Sequence, residues 1–362
     1  MGERVNQIFK PAWWCRGAHA QTLFRALFRA GLKMGLNRKR LELPDGDFLD
    51  LDFLEAPSPD GRKALPLVII LHGLEGSSRA PYVQTLLDGI SAAGWDSVAV
   101  NMRGCSGAPN RLKQTYHSGK TEDLGWVVQN FIEKEKREKI YLVGYSLGGN
   151  ILLKWLGERG GGIPREIRKA AAISVPYDLP ASVELMDRGF NRRIYTRRLL
   201  AGLKAKIRIK EKQFPAAIHY DRAKRSTTFK EFDREVTAPL NGFRDEAAYW
   251  TETSCKHFLE AIAVPTLLIH AEDDPFFPGE LLPVDLMRRS KCLKPLIVPR
   301  GGHLGFIAGR WPWKQERWLE KRITEFFLAE ESEERQNEIL THPENFRAIE
   351  QNMRLLLNQM ET

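Results

Sequence analysis

The stretch Lys139-Ile140-Tyr141-Leu142-Val143-Gly144-Tyr145-Ser146-Leu147-Gly148-Gly149-Asn150 decides how the chain reads. A β-rich apolar run, Ile140 to Val143, feeds directly into Gly-x-Ser-x-Gly, and a helical pattern (Ile151, Leu152, Trp155, Leu156) follows without a break. That order of strand, turn and helix is the setting of a nucleophile elbow, in which a strained turn lifts a serine Oγ clear of a sheet. Gly144 and Gly148 flank the turn, where strand and helix backbones come too close for a Cβ.

Outward from this stretch the chain alternates strand and helix. Upstream, Leu67–Leu71 reads as a buried strand. Pro81 opens a helix that buries Val83, Leu86, Leu87 and Ile90 and stops before Gly94. Trp95–Asn101 is the next strand, and Thr121 is expected to cap a helix whose first turn holds Glu122 and Asp123. Leu124, Val127, Val128 and Phe131 form its buried stripe. Earlier still, Leu41-Glu42-Leu43, Pro44-Asp45-Gly46 and alternating Leu49, Leu51 and Phe53 read as an antiparallel hairpin. Downstream, strands are expected near Ala170–Val175, over Pro265–His270 and over Leu296–Val298, with a closing helix Trp311–Leu328. Such alternation after one hairpin implies a mostly parallel, doubly wound α/β sheet.

Three segments depart from this rhythm. Residues 1–38 carry Leu23, Phe24, Leu27 and Phe28 against Arg25, Arg29 and Lys33, an amphipathic pattern. It suits an interfacial helix on lipid or, as the favoured reading, a helical segment packed on the core. The core itself is expected over 39–175 and 258–330. Residues 176–257 are helical in propensity and basic, which reads as an inserted cap. Residues 331–362 form a charged helical extension, with Leu355, Leu356 and Leu357 as its docking candidates.

Composition narrows the function classes. The 362 residues are 43 % apolar and 28 % charged, an ordinary globular balance. No stretch approaches the ~20 apolar residues of a membrane span, and no export signal marks the N-terminus. Cys15, Cys105, Cys255 and Cys292 lie far apart without metal spacing, so reduced thiols and a cytoplasmic location are expected. The net charge of +9 is uneven, with ten Lys or Arg and one acid, Glu211, between Arg188 and Lys212. No nucleic-acid module accompanies that run, and a solvated helix face is its favoured reading.

A serine hydroxyl becomes a nucleophile only when a base removes its proton. In the elbow fold the acid and base follow the serine in the order Ser, Asp/Glu, His. After the sheet resumes only His303 and His342 remain. His303 follows a strand through Gly301-Gly302, whereas His342 sits in the polar tail, so His303 is the candidate base. Two carboxylates adjoin the end of the strand at His270, Asp273 and Asp274, with Asp178 a more distant third. Backbone N–H groups that could bind an oxyanion are those of Leu147, next to the serine, and Leu74, in the loop His72–Ser77. His72 reads as a structural residue of that loop.

Together His72-Gly73-Leu74-Glu75-Gly76-Ser77, Arg103-Gly104-Cys105-Ser106-Gly107, Tyr116-His117-Ser118-Gly119, Gly144–Asn150, Asp273-Asp274-Pro275-Phe276 and Gly301-Gly302-His303 resemble the alpha/beta hydrolase superfamily. Within it they resemble AB hydrolase family four and its YheT-like esterases, over about Trp13 to Leu328. The resemblance implies an alpha/beta hydrolase fold, a mostly parallel eight-stranded sheet flanked by helices with an inserted helical cap. It also selects Asp274, which stands in the His-x-x-x-Asp-x-x-x-Pro arrangement His270…Asp274…Pro278. The implied activity is hydrolysis of carboxylic esters, small or lipid-like, by Ser146, Asp274 and His303, with no cofactor or metal. A thioesterase or acyltransferase using the same three residues is the alternative, as is a non-catalytic protein that binds lipid or a membrane surface. Nucleic acid is not an expected partner. Peripheral membrane contact and protein partners stay open.

Overall fold

The computed structural model describes residues 9–27, 34–56, 65–215 and 217–341. Phe28, Arg29, Lys33, His342 and Leu355–Leu357 lie outside them. Its centre is an eight-stranded sheet in the order β1-β2-β4-β3-β5-β6-β7-β8. The strands are β1 Asn37–Glu42, β2 Phe48–Leu54, β3 Leu67–Leu71, β4 Asp96–Asn101, β5 Ile140–Tyr145, β6 Ile167–Ile173, β7 Thr266–Ala271 and β8 Leu293–Val298. β2 runs antiparallel to β1 and β4, and every pairing from β4 through β8 is parallel.

The alternation of side chains along each strand splits the core into two layers. Leu67, Ile69 and Leu71 of β3 face helices α3 (Thr121–Glu133) and α4 (Leu147–Arg159), where Leu124, Val128, Phe131, Leu152 and Trp155 pack. Val68 and Ile70 point the other way, to α2 (Pro81–Ala92) and the helix Trp318–Thr341, against Leu86, Ile90, Leu319, Ile323 and Phe327. A strand covered on both faces needs an unbroken apolar run, and Leu67–Leu71 supplies one. Among the described residues from Leu179 to Ala261 there are helices and no strand, including α5 (Leu179–Met186) and the 17-residue helix Arg197–Gln213.

Three local expectations are corrected. Thr121 does not cap α3. It is the first helical residue, and Lys120 occupies the cap position without a side-chain bond. The Thr121 N–H donates to the Gly119 carbonyl at 2.8 Å. The closing helix begins at Trp318, not Trp311, because 308–316 forms a small hairpin of Ala308–Trp311 with Lys314–Glu316. Gly309, at φ +107°, and Pro312 bend the chain there, and Trp311 stacks on Trp313 at 5.5 Å.

The third correction concerns α1 (Ala18–Leu27), where Leu23 and Phe24 pack against buried clusters as expected but the most buried side chains are polar. Gln21, Thr22 and Arg25 are buried, while Leu23 and Phe24 are only half-buried. Arg25 pairs with Glu320, itself buried, and also donates to Thr85 Oγ1 at 2.9 Å and to the Gly305 carbonyl at 3.2 Å. Arg25→Met should therefore lower unfolding stability by about 3–5 kcal/mol, since it strands a buried carboxylate. Urea unfolding of the two proteins checks this; a loss below about 1 kcal/mol, the scale of a surface pair, would refute it.

Candidate active site

Because β3, β5, β7 and β8 run parallel, the loops that leave them open at one edge of the sheet, where such sheets bind their ligands. The loop after β5 is the elbow. Ser146 has φ +52° and ψ −119°, a conformation that costs a non-glycine residue about 1–3 kcal/mol and turns its side chain outward. The turn is tight. A Cβ on Gly148 would lie 2.5 Å from the His72 carbonyl oxygen, and one on Gly144 2.5 Å from that of Gly148. The Ser146 N–H donates to the Ile173 carbonyl at 2.8 Å and fastens the turn to β6.

The loops after β7 and β8 bring two further groups to this serine. His303 Nε2 lies 2.9 Å from Ser146 Oγ, and His303 Nδ1 lies 2.8 Å and 3.1 Å from the two Asp274 oxygens. The bonds imply one tautomer, with Nδ1–H donating to the carboxylate and Nε2 accepting from the serine hydroxyl. Asp274 is fully buried and also accepts the N–H groups of Phe276 (2.8 Å) and Phe277 (3.3 Å). Burial opposes its charge, yet the adjacent imidazole and the donated bonds outweigh that and hold its pKa below the ordinary carboxylate value. The Phe276 ring stacks on the imidazole at 4.0 Å and screens one of its faces.

The other sequence candidates have different work. Asp273 Oδ1 accepts the N–H groups of Gly301 and Gly302, both at 2.8 Å, and so holds the loop that carries His303. Asp178 caps α5 through the Ala181 N–H and pairs with Lys256. His72 accepts the Met102 N–H at Nε2 (3.1 Å) and donates from Nδ1 to the Gly73 carbonyl (2.7 Å), fixing its own loop.

That loop carries Leu74, which lines one cavity with Ser146, Leu147 and His303. Next to it Glu75 sits at φ +55°, held by the Tyr116 hydroxyl on its N–H (3.0 Å) and by Tyr116 and Lys206 on its carboxylate (2.6 Å each). Lys206 belongs to the helix Arg197–Gln213, so the inserted helices grip the loop that presents Leu74. The cavity, ≈ 200 Å³, runs beneath those helices along Leu179, Val183, Leu203, Phe229 and Trp250. Its walls are apolar apart from a few groups. Among these is Asp233, which burial pushes up to about 6 although Thr237 and Trp250 donate to it.

Sequence reading missed the contribution of α1. The His303 N–H donates to Thr22 Oγ1 at 2.9 Å, while the Thr22 hydroxyl donates to the Ala18 carbonyl at 2.8 Å. Gln21 brackets Ile307, accepting its N–H at Oε1 (2.5 Å) and donating to its carbonyl (3.1 Å). The bonds to His303 and Ile307 join residues some 280 positions apart, and nothing local in the sequence signals them.

Two buried histidines near the site carry a pH prediction. Burial, first, lowers His72 to about 4 and His117 to about 3, and nearby Lys120, Lys154 and Arg103 add to the His117 shift. The unfolded chain takes up protons near pH 6.5 that the folded chain refuses until well below it. Stability must therefore fall as pH drops from about 6.5 towards 4, by up to about 1.4 kcal/mol per pH unit for each histidine. A thermal midpoint unchanged between about pH 7 and pH 5 would contradict the assignment.

A family model described as "alpha/beta hydrolase fold" matches residues 66–309, about two thirds of the chain. The chain belongs to the alpha/beta hydrolase family. Among curated relatives of this alpha/beta hydrolase is YheT of Escherichia coli (strain K12), named as a candidate esterase. It is 37 % identical, with 89 % of this chain and 93 % of that protein covered. Phospholipase ABHD3 of Mus musculus is 26 % identical, with 90 % and 79 % covered. Monoacylglycerol lipase of Saccharomyces cerevisiae is 28 % identical, with 73 % and 62 % covered. Among solved structures, Est1E from Butyrivibrio proteoclasticus with bound ferulic acid superposes with a TM-score of 0.52 at 15 % identity. The match covers 80 % of this chain and 98 % of that one, a likeness of fold. No described helix is long and apolar enough to cross a membrane.

Proposed function

We propose that this alpha/beta hydrolase cleaves carboxylic esters through an acyl-enzyme on Ser146, with residues 176–257 as the cap over its substrate cavity. The observation that carries the reading is the unbroken set of contacts from Ser146 Oγ through the His303 imidazole to Asp274, opening on an apolar cavity. The relatives named esterase, lipase and phospholipase favour an ester substrate.

In this mechanism Ser146 Oγ attacks the ester carbonyl carbon as its proton passes to His303 Nε2. The carbonyl oxygen becomes an oxyanion, which the N–H groups of Leu147 and Leu74 stabilise; one such donor is worth about 3–4 kcal/mol. Collapse of the tetrahedral species breaks the bond to the alcohol oxygen, which leaves with the proton from Nε2. Water then attacks the acyl carbonyl, His303 again takes the proton, and release of the acid restores the serine. Asp274 holds the imidazole in the needed tautomer and stabilises imidazolium without accepting the proton.

The test is a fluorophosphonate label on the protein followed by a series of aryl esters of rising chain length. Covalent labelling at Ser146 with turnover supports the reading; an unlabelled protein inert to every ester overturns it. Thr22→Val bears on the His303 loop. It leaves the His303 N–H buried without its acceptor, a loss of about 1–3 kcal/mol. kcat should fall about tenfold with KM little changed, and Thr22→Ser should restore it. A Thr22→Val protein as active as the parent would remove α1 from the machinery.

A further inference from the structure

The fold sorts the ten cations between Arg188 and Lys212 into two sets. Lys206 and Lys210 turn inward, to Glu75 and to the carbonyls of Asn110 and Leu112. Arg192, Arg193 and Arg197 stay exposed, and with Lys204 they line an open cleft of ≈ 550 Å³. Among the described residues none of these three arginines has a carboxylate within ion-pair distance. The two acids beside the cleft are engaged in part elsewhere, although Asp187 still attracts Arg192, whose guanidinium also donates to Thr227 Oγ1 at 2.8 Å. Asp187 accepts the Phe229 and Lys230 N–H groups, and Glu231 accepts the Thr227 N–H.

Beside these unpaired cations, Phe190 is 47 % and Ile194 40 % exposed. Exposed apolar side chains together with arginines that lack an ion pair, over the eight residues Phe190–Arg197, are the pattern of a surface that enters a lipid headgroup layer. A nucleic acid would answer the charge, but Ile194 has no face on which a base could stack and Phe190 is the one exposed ring of the patch. Position adds to the argument. Phe190 packs on Tyr195, Tyr195 on Phe276, and Phe276 on His303, so the patch lies three ring contacts from the imidazole.

The geometry points to a docking surface for an anionic bilayer, with Arg192, Arg193 and Arg197 on lipid phosphates and carboxylates and with Phe190 and Ile194 at the acyl boundary. Docked in this way, the inserted helices face the lipid and the cavity beneath them lies next to a supply of acyl groups. The inference does not rest on the ester-cleaving reading, because attachment to vesicles is measured without turnover.

The test is sedimentation of the full chain with vesicles of phosphatidylcholine containing about one third phosphatidylserine, beside vesicles of phosphatidylcholine alone. The protein should follow the anionic vesicles, at least about tenfold more than the neutral ones, and high salt should release it. Arg193→Gln/Arg197→Gln should weaken attachment about 25-fold, at roughly fivefold per cation, and leave turnover of a water-soluble ester unchanged. Arg165→Gln, an exposed cation elsewhere on the fold, should leave attachment unchanged. Four results would each overturn the proposal. They are parent-like binding by the double variant, loss of binding in Trp313→Ala, tighter binding to a single-stranded oligonucleotide than to vesicles, and competition by millimolar inorganic phosphate, which would mark a discrete anion site.

Discussion

Ser146→Ala should lose ester turnover by a factor of about 10⁶ and lose fluorophosphonate labelling completely, the largest effect expected of any single substitution here. The reason is covalent. Without Oγ there is no atom to carry the acyl group, and the remaining donors only polarise a carbonyl that water must attack unaided. The fold should survive the change. The serine's structural anchor is its backbone N–H on Ile173, which alanine keeps, and its positive φ is no worse for alanine. A variant that still labels at the parental rate would place the nucleophile elsewhere. Burst kinetics with an aryl ester give an independent measure, since the parent should release one equivalent of phenol before the steady state and the variant none.

Asp274→Asn should cost about 10⁴ in kcat while KM stays nearly constant. The amide donates where the carboxylate accepted, so His303 turns its protonated nitrogen towards Ser146 and can no longer take the proton. Asp274 also receives two backbone N–H groups, both on Oδ1, and an asparagine carbonyl in that place can keep them, so unfolding is not the expected cause. The informative contrast is Asp273→Asn. Its oxygen holds Gly301 and Gly302 in place, a task that an amide carbonyl also performs, and its loss should be no more than about tenfold. Equal losses in the two variants, or the reverse order, would move the acid one residue along the chain.

How far the site could be read from the sequence depended on the range of each signal. The elbow was legible because strand, strained turn and helix follow within a dozen residues and the two glycines answer a local crowding. His303 was legible through chain order and a Gly-Gly approach. Asp273 and Asp274 leave the same strand end, and it was the His270…Asp274…Pro278 arrangement of the resembled family that favoured Asp274. Their different tasks depend on which one turns towards β8 backbone and which towards the imidazole. α1 misled for a related reason. Its periodicity marked the arginine as solvent-facing, but a buried carboxylate on a distant helix reversed that face.

By itself, the sequence determined the order of the core strands, the two-faced burial of the central ones and the strand–turn–helix setting of Ser146. All of these follow from hydrophobic period and backbone sterics within short windows. Only the tertiary structure decided that α1 holds the histidine loop and that some lysines of the basic run turn inward while its arginines stay at the surface. Those outcomes depend on hydrogen bonds and charge pairs between segments that only packing brings together, and no local pattern encodes a partner nearly three hundred residues away.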